Sequence, residues 1–402
     1  MRTLLIVSLI FAACYLLSRP VFSSRIPFLG FRYLFLSGTE FLLVGFLAGS
    51  RGFNLLPASA LDALDPVIHL GLGWAGFIFG LQFDRRMVRL YPPIRYGLAF
   101  FQSAVVVIIA AAGGWAAFGL LFPEADPVAR LRAAALIGIA TGPTSPSSIY
   151  YFSEVMGFRG RVNRLVKFIA GVDAIPPVLL LGVFAGLFHL FTSRFETLLE
   201  GWQWLVIGTA LGALLGFLLT ALIGLRFSRD ELLLFVIGMV VLSAGIARYL
   251  HLPAVYVSFV TGLTVANTAW HKEEVHKVVA YPEKPLYLTL LVLAGTSLSL
   301  RDPRIVVLAL LVVGLRLAGK TLGNLPWHAA RFEPEVRTPW LGLALLSQGA
   351  MAIVLTLDFE FLYRADLARA PMNQMVASAV IVAVMINEVL SPLFLRFLDR
   401  RS

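Results

Sequence analysis

The chain has 402 residues, of which 59% are hydrophobic and 14% are charged, and its mean hydropathy is +0.84. These values exclude an ordinary soluble domain, in which about 25% of residues are charged, and the apolar runs recur too often to build one buried core. The net charge of +10 does not require nucleic acid as a partner, because the basic residues lie between apolar runs. The sequence therefore predicts an all-α polytopic membrane protein embedded in a lipid bilayer.

A hydropathy window of about 19 residues predicts about thirteen transmembrane helices. The first follows Arg2, and a signal peptide is its alternative interpretation. Because FAACYLLSRP lacks a clean small-x-small cleavage site, we predict a spanning helix there. The predicted spans cover residues 3–18, 34–50, 65–83, 97–121, 131–152, 167–192, 203–225, 231–248, 252–269, 285–300, 303–323, 338–357 and 375–395.

Basic residues in the loops predict the orientation of these spans. With the N-terminus outside, the inner loops hold roughly twenty Lys and Arg residues and the outer loops roughly ten. Since positive loops stay on the cytoplasmic side, we expect the N-terminus out and the C-terminus in. The expected location is the cell membrane, in a bacterium the inner membrane.

Three pairs of short segments indicate an internal repeat. They occur in the same order, and the members of each pair lie seven spans apart, which gives the two halves opposite orientations, as in the inverted repeats of secondary transporters. The paired segments are 41–54 with 258–269, 72–84 with 288–300, and 142–148 with 347–353, in repeats of about 34–192 and 252–395 within a single domain, 1–402.

Asp173 is the only acidic residue in the apolar stretch 168–195. A carboxylate near the bilayer centre costs about 3 kcal/mol on insertion scales, so such an acid indicates an ion pathway, a proton relay or a buried pair. The alternative is a structural ion pair with a basic residue of a neighbouring helix.

Two spans contain sequences that interrupt a helix. In TGPTSPSS, Pro143 and Pro146 remove two backbone donors and obstruct the preceding turn. Its repeat partner, LSQGAMA, has Gln348 and Gly349 at the equivalent level. Two crossing broken helices would place facing half-helix ends in the membrane, whereas a simple proline kink would let the hydroxyls bond back to their own helix. The hydroxyl residues are Thr141, Thr144, Ser145, Ser147 and Ser148.

With these motifs the chain resembles the monovalent cation:proton antiporter superfamily, in the branch of bacterial sodium/proton and potassium/proton exchangers. The resemblance extends over almost the whole chain. It implies a core that moves against a scaffold and a homodimer formed through that scaffold. The motifs are EFLLVGFLAGSRGFNLL, LGLGWAGFIFGLQFD, IGIATGPTSPSSIYYFSEVMG, IAGVDAIPPVLLL, VSFVTGLTVAN, LVLAGTSLSL, LRLAGKTLG, LLSQGAMAIVL and INEVLSPLFLRFL.

The resemblance implies that Asp173 binds the cation and a proton in turn. Family members usually carry an Asp-Asp or Asn-Asp pair, but here Val172 and Ala174 flank Asp173, which can represent either half of the pair. Many members also carry Thr-Asp-Pro where this chain has a serine before the proline. With one carboxylate, we expect an exchange nearer one proton per cation. The implied ligands beside Asp173 are Thr144 and Ser145, and the implied supports of the broken helices are Thr141, Pro143, Pro146, Gln348 and Gly349.

Two basic residues are candidate charge partners of Asp173. Arg316 and Lys320 are four residues apart, so they share a helix face. Arg316 lies at a depth compatible with Asp173 at ~1.5 Å per residue, whereas Lys320 matches the family pattern Gly-Lys-x-x-Gly, whose lysine pairs with the aspartate when the ion is absent. The alternative for Lys320 is snorkelling to lipid headgroups. Glu388, beside Asn387, is either functional or the cap of a helix break.

The sequence therefore predicts a secondary transporter that exchanges Na⁺ or K⁺ for protons by alternating access. We expect no enzyme, cofactor or metal site, because the histidines lack metal-ligand spacing and no phosphate loop or nucleophile elbow occurs. No soluble regulatory domain is expected either, since the last span ends close to Ser402. Two alternatives are a transporter of an anion or organic solute with the same fold, and a non-transporting membrane sensor or subunit.

Overall fold

The computed structural model describes residues 38–50, 52–56, 61, 63–158, 160–190, 199–224, 228–269, 272–329 and 340–399. These ranges form helices and contain no β-strand. The helices are α1 Thr39–Ala48, α2 Asp65–Leu81, α3 Arg85–Val88, α4 Pro93–Leu121, α5 Pro127–Thr141, α6 Pro146–Met156, α7 Arg161–Val172, α8 Ile175–Leu187, α9 Gly201–Ile223, α10 Arg229–Tyr249, α11 Ala254–Thr268, α12 Lys272–Ser297, α13 Arg304–Ala329, α14 Leu341–Ala344, α15 Gly349–Leu362 and α16 Ala370–Asp399.

The all-α fold is confirmed, and each predicted span from 34–50 onward coincides with one helix or two consecutive helices. The first predicted span, 3–18, lies outside the described residues. Among the described residues, 6 helical segments are long and apolar enough to cross a membrane. Three shorter apolar segments, Asp65–Leu81, Ala254–Thr268 and Pro285–Ser297, accompany them. The structure therefore supports several spans without establishing a count of thirteen.

Three predicted spans are each divided into two helices. Both spans with the predicted breaks are divided, into α5 and α6 and into α14 and α15. The span 167–192 is interrupted as well, because two residues between α7 and α8 form a turn at Asp173. Pro176 and Pro177 in the first turn of α8 account for this interruption, since neither can donate to the preceding helix. The acid thus lies at a turn within the otherwise helical segment Arg161–Leu187.

Helices α1 and α2 pack against α12 and α11 at glycines. A Cβ atom added to Gly262 would lie 2.1 Å from the carbonyl oxygen of Phe77, and one added to Gly45 would lie 1.9 Å from that of Val292. Only glycine permits such backbone contact, and small residues at helix contacts drive association in membranes. These helix pairs therefore form a closely packed unit.

The described helices associate in two groups. We call α1, α2 and α9–α12 the scaffold group, and α4–α8 with α13–α16 the core group. Asp358 of the core group links the two, because its buried carboxylate accepts the N–H groups of Ala254 and Val255, 3.1 and 2.9 Å away, at the start of α11. This N-terminus has no side-chain cap of its own, so Asp358 supplies one.

At one end of the core group, an ion network joins the loop before α5 to the loop before α16. Asp366 accepts from Arg132 at 2.7 Å and from Arg369 at 2.8 Å, and Arg369 also donates to Asp126 at 2.6 Å. The hydrogen bond from Arg369 lowers the pKa of the Asp126 carboxyl from its ordinary value. This network closes the end of the core group at which α5 begins and α15 ends.

We predict that Gly262→Ala destabilises the protein by about 1–3 kcal/mol, because the new methyl group would overlap the Phe77 backbone. Gly245→Ala is the matched control, since a Cβ atom there meets nothing within 4 Å, and alanine favours helix by about 1 kcal/mol. Thermal unfolding in detergent measures both. Equal midpoints for the two variants would contradict the close contact.

Candidate functional site

The two broken helices cross at their unwound segments. α5 ends at Thr141 and α6 begins at Pro146, while α14 ends at Ala344 and α15 begins at Gly349. The segments are joined where the N–H of Ser145 donates to the carbonyl oxygen of Ser347 at 3.1 Å. Gly349 has a φ of +59°, and a Cβ atom there would lie 2.4 Å from the Ser145 side chain. Glycine is therefore required at this crossing.

Asp173 is completely buried beside this crossing. Its Oδ1 accepts the N–H of Thr144 at 3.0 Å, and its Oδ2 lies 2.5 Å from the Thr144 hydroxyl. Its backbone carbonyl accepts the Ser103 hydroxyl at 2.7 Å. Because the turn between α7 and α8 carries it, the carboxylate meets the unwound segment before α6.

Lys320 of α13 pairs with Asp173 and is also completely buried. Its Nζ atom lies 2.7 Å from Asp173 Oδ2, 2.9 Å from Thr144 Oγ1 and 3.0 Å from the carbonyl oxygen of Gly142. All three ammonium donors therefore have partners. Such pairing is what a buried charge requires.

Arg316 has a different environment from Lys320. Its buried guanidinium donates to the carbonyl oxygen of Thr141, at the end of α5, and to those of Leu345, Leu346 and Ser347, each at 3.0 Å, after α14. The carbonyl ends of both half-helices carry partial negative charge. Arg316 therefore neutralises two helix C-termini at once, whereas Lys320 is the direct partner of Asp173.

Glu388 of α16 binds the N-terminus of α15, where the backbone N–H groups are unpaired within the helix. Its Oε1 accepts the Ser347 hydroxyl at 2.7 Å and the N–H groups of Gln348 and Gly349 at 2.9 and 2.8 Å. Its Oε2 accepts the Ser148 hydroxyl of α6 at 3.0 Å. Its own helix continues through Pro392 without a break, and Glu388 instead caps the start of α15 and also binds the other broken helix, α6.

The remaining predicted residues occupy structural positions around the crossing. The Gln348 side chain donates to the carbonyl of Ala140 at 2.6 Å and accepts from Asn387 at 2.8 Å. The Thr141 hydroxyl bonds back to the carbonyl of Ile137 in its own helix. Pro143 and Pro146 flank the unwound segment, where they lack the N–H groups that would continue the helix.

Several oxygen atoms converge on the position of the Lys320 ammonium group. They come from the Asp173 carboxylate, the Thr144 hydroxyl and the Gly142 carbonyl. Oxygens of these kinds can replace the hydration shell of a monovalent cation. In the described part of the chain, no group of three His, Cys, Asp or Glu side chains could hold a metal ion. The arrangement suits exchange of a lysine ammonium for a cation of the same charge.

A model of the family described as "Sodium/hydrogen exchanger, transmembrane" matches residues 21–398. The chain belongs to this family. No curated protein matches it. The exchanger is therefore a multi-pass membrane transporter and not an enzyme, and the resemblance to cation:proton antiporters is confirmed.

Solved structures show the same fold as this exchanger. One is the sodium proton antiporter MjNhaP1 from Methanocaldococcus jannaschii at pH 8, with 13% identity and a TM-score of 0.69 over 100% of this chain and 99% of that one. A second structure of MjNhaP1, from electron microscopy, has 16% identity and a TM-score of 0.63 over 98% of this chain and 96% of that one. The likeness is in the fold of the whole chain.

We predict that Lys320→Met destabilises the exchanger by about 3–5 kcal/mol, because Asp173 would remain buried without its counter-ion. Asp173→Asn should act similarly by leaving Lys320 unpaired. The double variant should lose less stability than the sum of the two, since neither charge remains. Thermal unfolding of the four proteins in detergent gives the coupling energy, and simple additivity would refute the pairing.

Proposed function

We propose that this protein exchanges a monovalent cation, Na⁺ or K⁺, for protons at a site formed by Asp173 and Lys320. The supporting observation is the buried pair itself, with Nζ 2.7 Å from the carboxylate. The pair lies at the crossing of two interrupted helices, a place where secondary transporters bind ions. Family membership supports the exchange of cations for protons in general.

In the proposed exchange, the cation displaces the Lys320 ammonium from Asp173. Two positive charges beside one buried carboxylate repel each other strongly at low dielectric, so Lys320 releases its proton when the cation binds. When the cation leaves, Lys320 takes up a proton and pairs with Asp173 again. In either state one positive charge, the Lys320 ammonium or the cation, lies beside the Asp173 carboxylate, so the site exchanges one proton for one cation.

We propose that the core group moves against the scaffold group to expose the site on alternate sides. In the predicted inverted repeat, α1 corresponds to α11 and α2 corresponds to α12. Exchanging the two halves therefore turns the contact between α1 and α12 into the contact between α11 and α2, and both contacts are present. We further propose a homodimer in the bacterial inner membrane with the N-terminus outside.

Asp358 is well placed to hold one state of this movement. Its bonds to the start of α11 cross between the two groups. A cavity of about 550 Å³ reaches this contact from the end of the protein where α2 begins and α15 ends, and Asp65, His69, Arg248 and Leu252 are among its lining residues. Movement of the core group would have to break the Asp358 contact and widen this cavity.

We expect cation-driven alkalinisation of acid-loaded proteoliposomes by the wild type and none by Asp173→Asn, because the variant lacks the shared carboxylate. An enclosed pH dye measures the response to external Na⁺, K⁺ or Li⁺, which also identifies the ion. Asp302→Asn, a carboxylate-to-amide change at a half-buried position just before α13, is the matched control. Folded wild-type protein that responds to none of these cations would eliminate antiport and favour another solute.

For the movement, we expect Asp358→Asn to weaken the α11 contact by about 1–3 kcal/mol, since the amide can accept only one of the two N–H groups well. Leu252→Cys, introduced with Cys14→Ser, reports the opening. Its labelling by a membrane-impermeant maleimide should accelerate about tenfold or more when Asp358→Asn is added. Asp302→Asn is again the control. Unchanged labelling would mean that Asp358 does not hold the closed state.

A further inference from the structure

We propose that Glu388 is a second proton-binding group, connected to water by the hydroxyl groups of Ser148, Ser145 and Ser147. This inference rests on the proposed antiport. It differs from that proposal in its residues, because the cation pair uses Asp173 and Lys320. Glu388 is a completely buried carboxyl group to which the exchange at Lys320 gives no task.

The hydroxyl groups form a continuous chain from Glu388. Oε2 lies 3.0 Å from Ser148 Oγ, which lies 2.9 Å from Ser145 Oγ, which in turn lies 3.2 Å from Ser147 Oγ. A serine hydroxyl both donates and accepts. Every link can therefore carry a proton in either direction.

The contacts of Glu388 determine where its proton can be held. Oε1 already accepts three donors, from Ser347, Gln348 and Gly349, so it has no place for a proton. Among the described residues, the hydrogen-bond partner of Oε2 is the Ser148 hydroxyl. In the protonated state, the Oε2 hydroxyl donates to Ser148 Oγ and the direction of the chain reverses. The three bonds to Oε1 persist in both states.

The transfer along the chain is balanced. A hydronium ion at the exposed end gives a proton to Ser147 Oγ and becomes water, and the hydroxyl proton of Ser147 passes to Ser145 Oγ. Ser145 passes its proton to Ser148, and Ser148 passes its proton to Glu388 Oε2. Each serine gains one O–H bond and loses one. Within the protein only the carboxylate changes charge, from minus one to zero, as hydronium becomes neutral water.

The outer end of the chain lies on a polar, exposed face of α6. Ser147 is exposed, and so are Tyr150 and Glu154, which follow at three and seven residues on the same helix face. Lys167 of α7 lies over the Tyr150 ring, 4.4 Å from its centroid. A surface formed by α6 and α7 that carries Glu154 and Lys167 belongs in water and not in hydrocarbon. Ser147 therefore connects the chain to solvent.

A second proton-binding group changes the stoichiometry. The Lys320 exchange accounts for one proton per cation, and Glu388 adds one, so the wild type should exchange two protons per cation and move net charge. The sequence gives an expectation nearer one because it counts only Asp173. A carboxylate that merely caps α15 would stay ionised throughout and would add nothing.

Glu388→Gln separates these two roles. The amide oxygen keeps the three bonds made to Oε1, and the NH₂ group donates to Ser148 as a protonated carboxyl would. Ser148→Ala breaks the chain and leaves Glu388 in place. Ser153→Ala is the control, because this buried serine of the same helix bonds to the Ile149 carbonyl and lies outside the chain.

The experiment measures protons exchanged per cation in proteoliposomes, from the cation gradients that halt proton flux at several imposed pH differences. We expect two for the wild type and Ser153→Ala, and one for Glu388→Gln and Ser148→Ala, with cation exchange retained. A wild-type ratio of one, or a ratio of two in Ser148→Ala or in active Glu388→Gln, would overturn this inference alone. Absence of cation-driven flux in the wild type would instead overturn the proposed antiport.

Discussion

Two interrupted helices inside a membrane leave backbone groups that water cannot reach, and this constraint organises the core of the exchanger. Each kind of helix end has a buried charge of the opposite sign. Arg316 binds the carbonyl ends of α5 and α14, and Glu388 binds the amide end of α15. Asp173 accepts the Thr144 N–H just before α6. Since unsatisfied backbone groups in a membrane cost several kcal/mol each, the hydrogen bonds made by these side chains are conditions of the fold.

The contacts also distinguish fixed charges from exchangeable ones. Arg316 donates to four carbonyl groups at the ends of two half-helices, so its removal would withdraw a donor from both helix ends. Lys320 binds a carboxylate, a hydroxyl and one carbonyl, and a cation can take over all three contacts. The guanidinium also keeps its proton under all ordinary conditions. Lys320 is therefore the basic group that a cation can displace from Asp173.

The sequence predicts the parts of this arrangement that depend on local chemistry. An acid in an apolar stretch identifies Asp173, and two prolines locate the break before α6. The division of labour between Arg316 and Lys320 is not predictable from spacing, because it depends on which helix each side chain faces. Gly142 and Leu345 contribute backbone carbonyls, which carry no sequence signal. The sequence does not predict the contacts of Glu388, since its hydrogen-bond partners lie about 40 and 240 residues away in the chain.

Charge balance at the crossing links the two proposed proton sites. Asp173 and Glu388 supply two negative charges, and Arg316 and Lys320 supply two positive ones, so the cation-free site with Glu388 ionised is neutral. A cation that enters this site must be matched by the loss of one positive charge, and Lys320 can provide it. Because Arg316 keeps its positive charge, Glu388 is the other group whose protonation can change the net charge of the site. Protonation of Glu388 leaves one positive charge in excess, which favours release of a bound cation and ties the second proton to the same cycle.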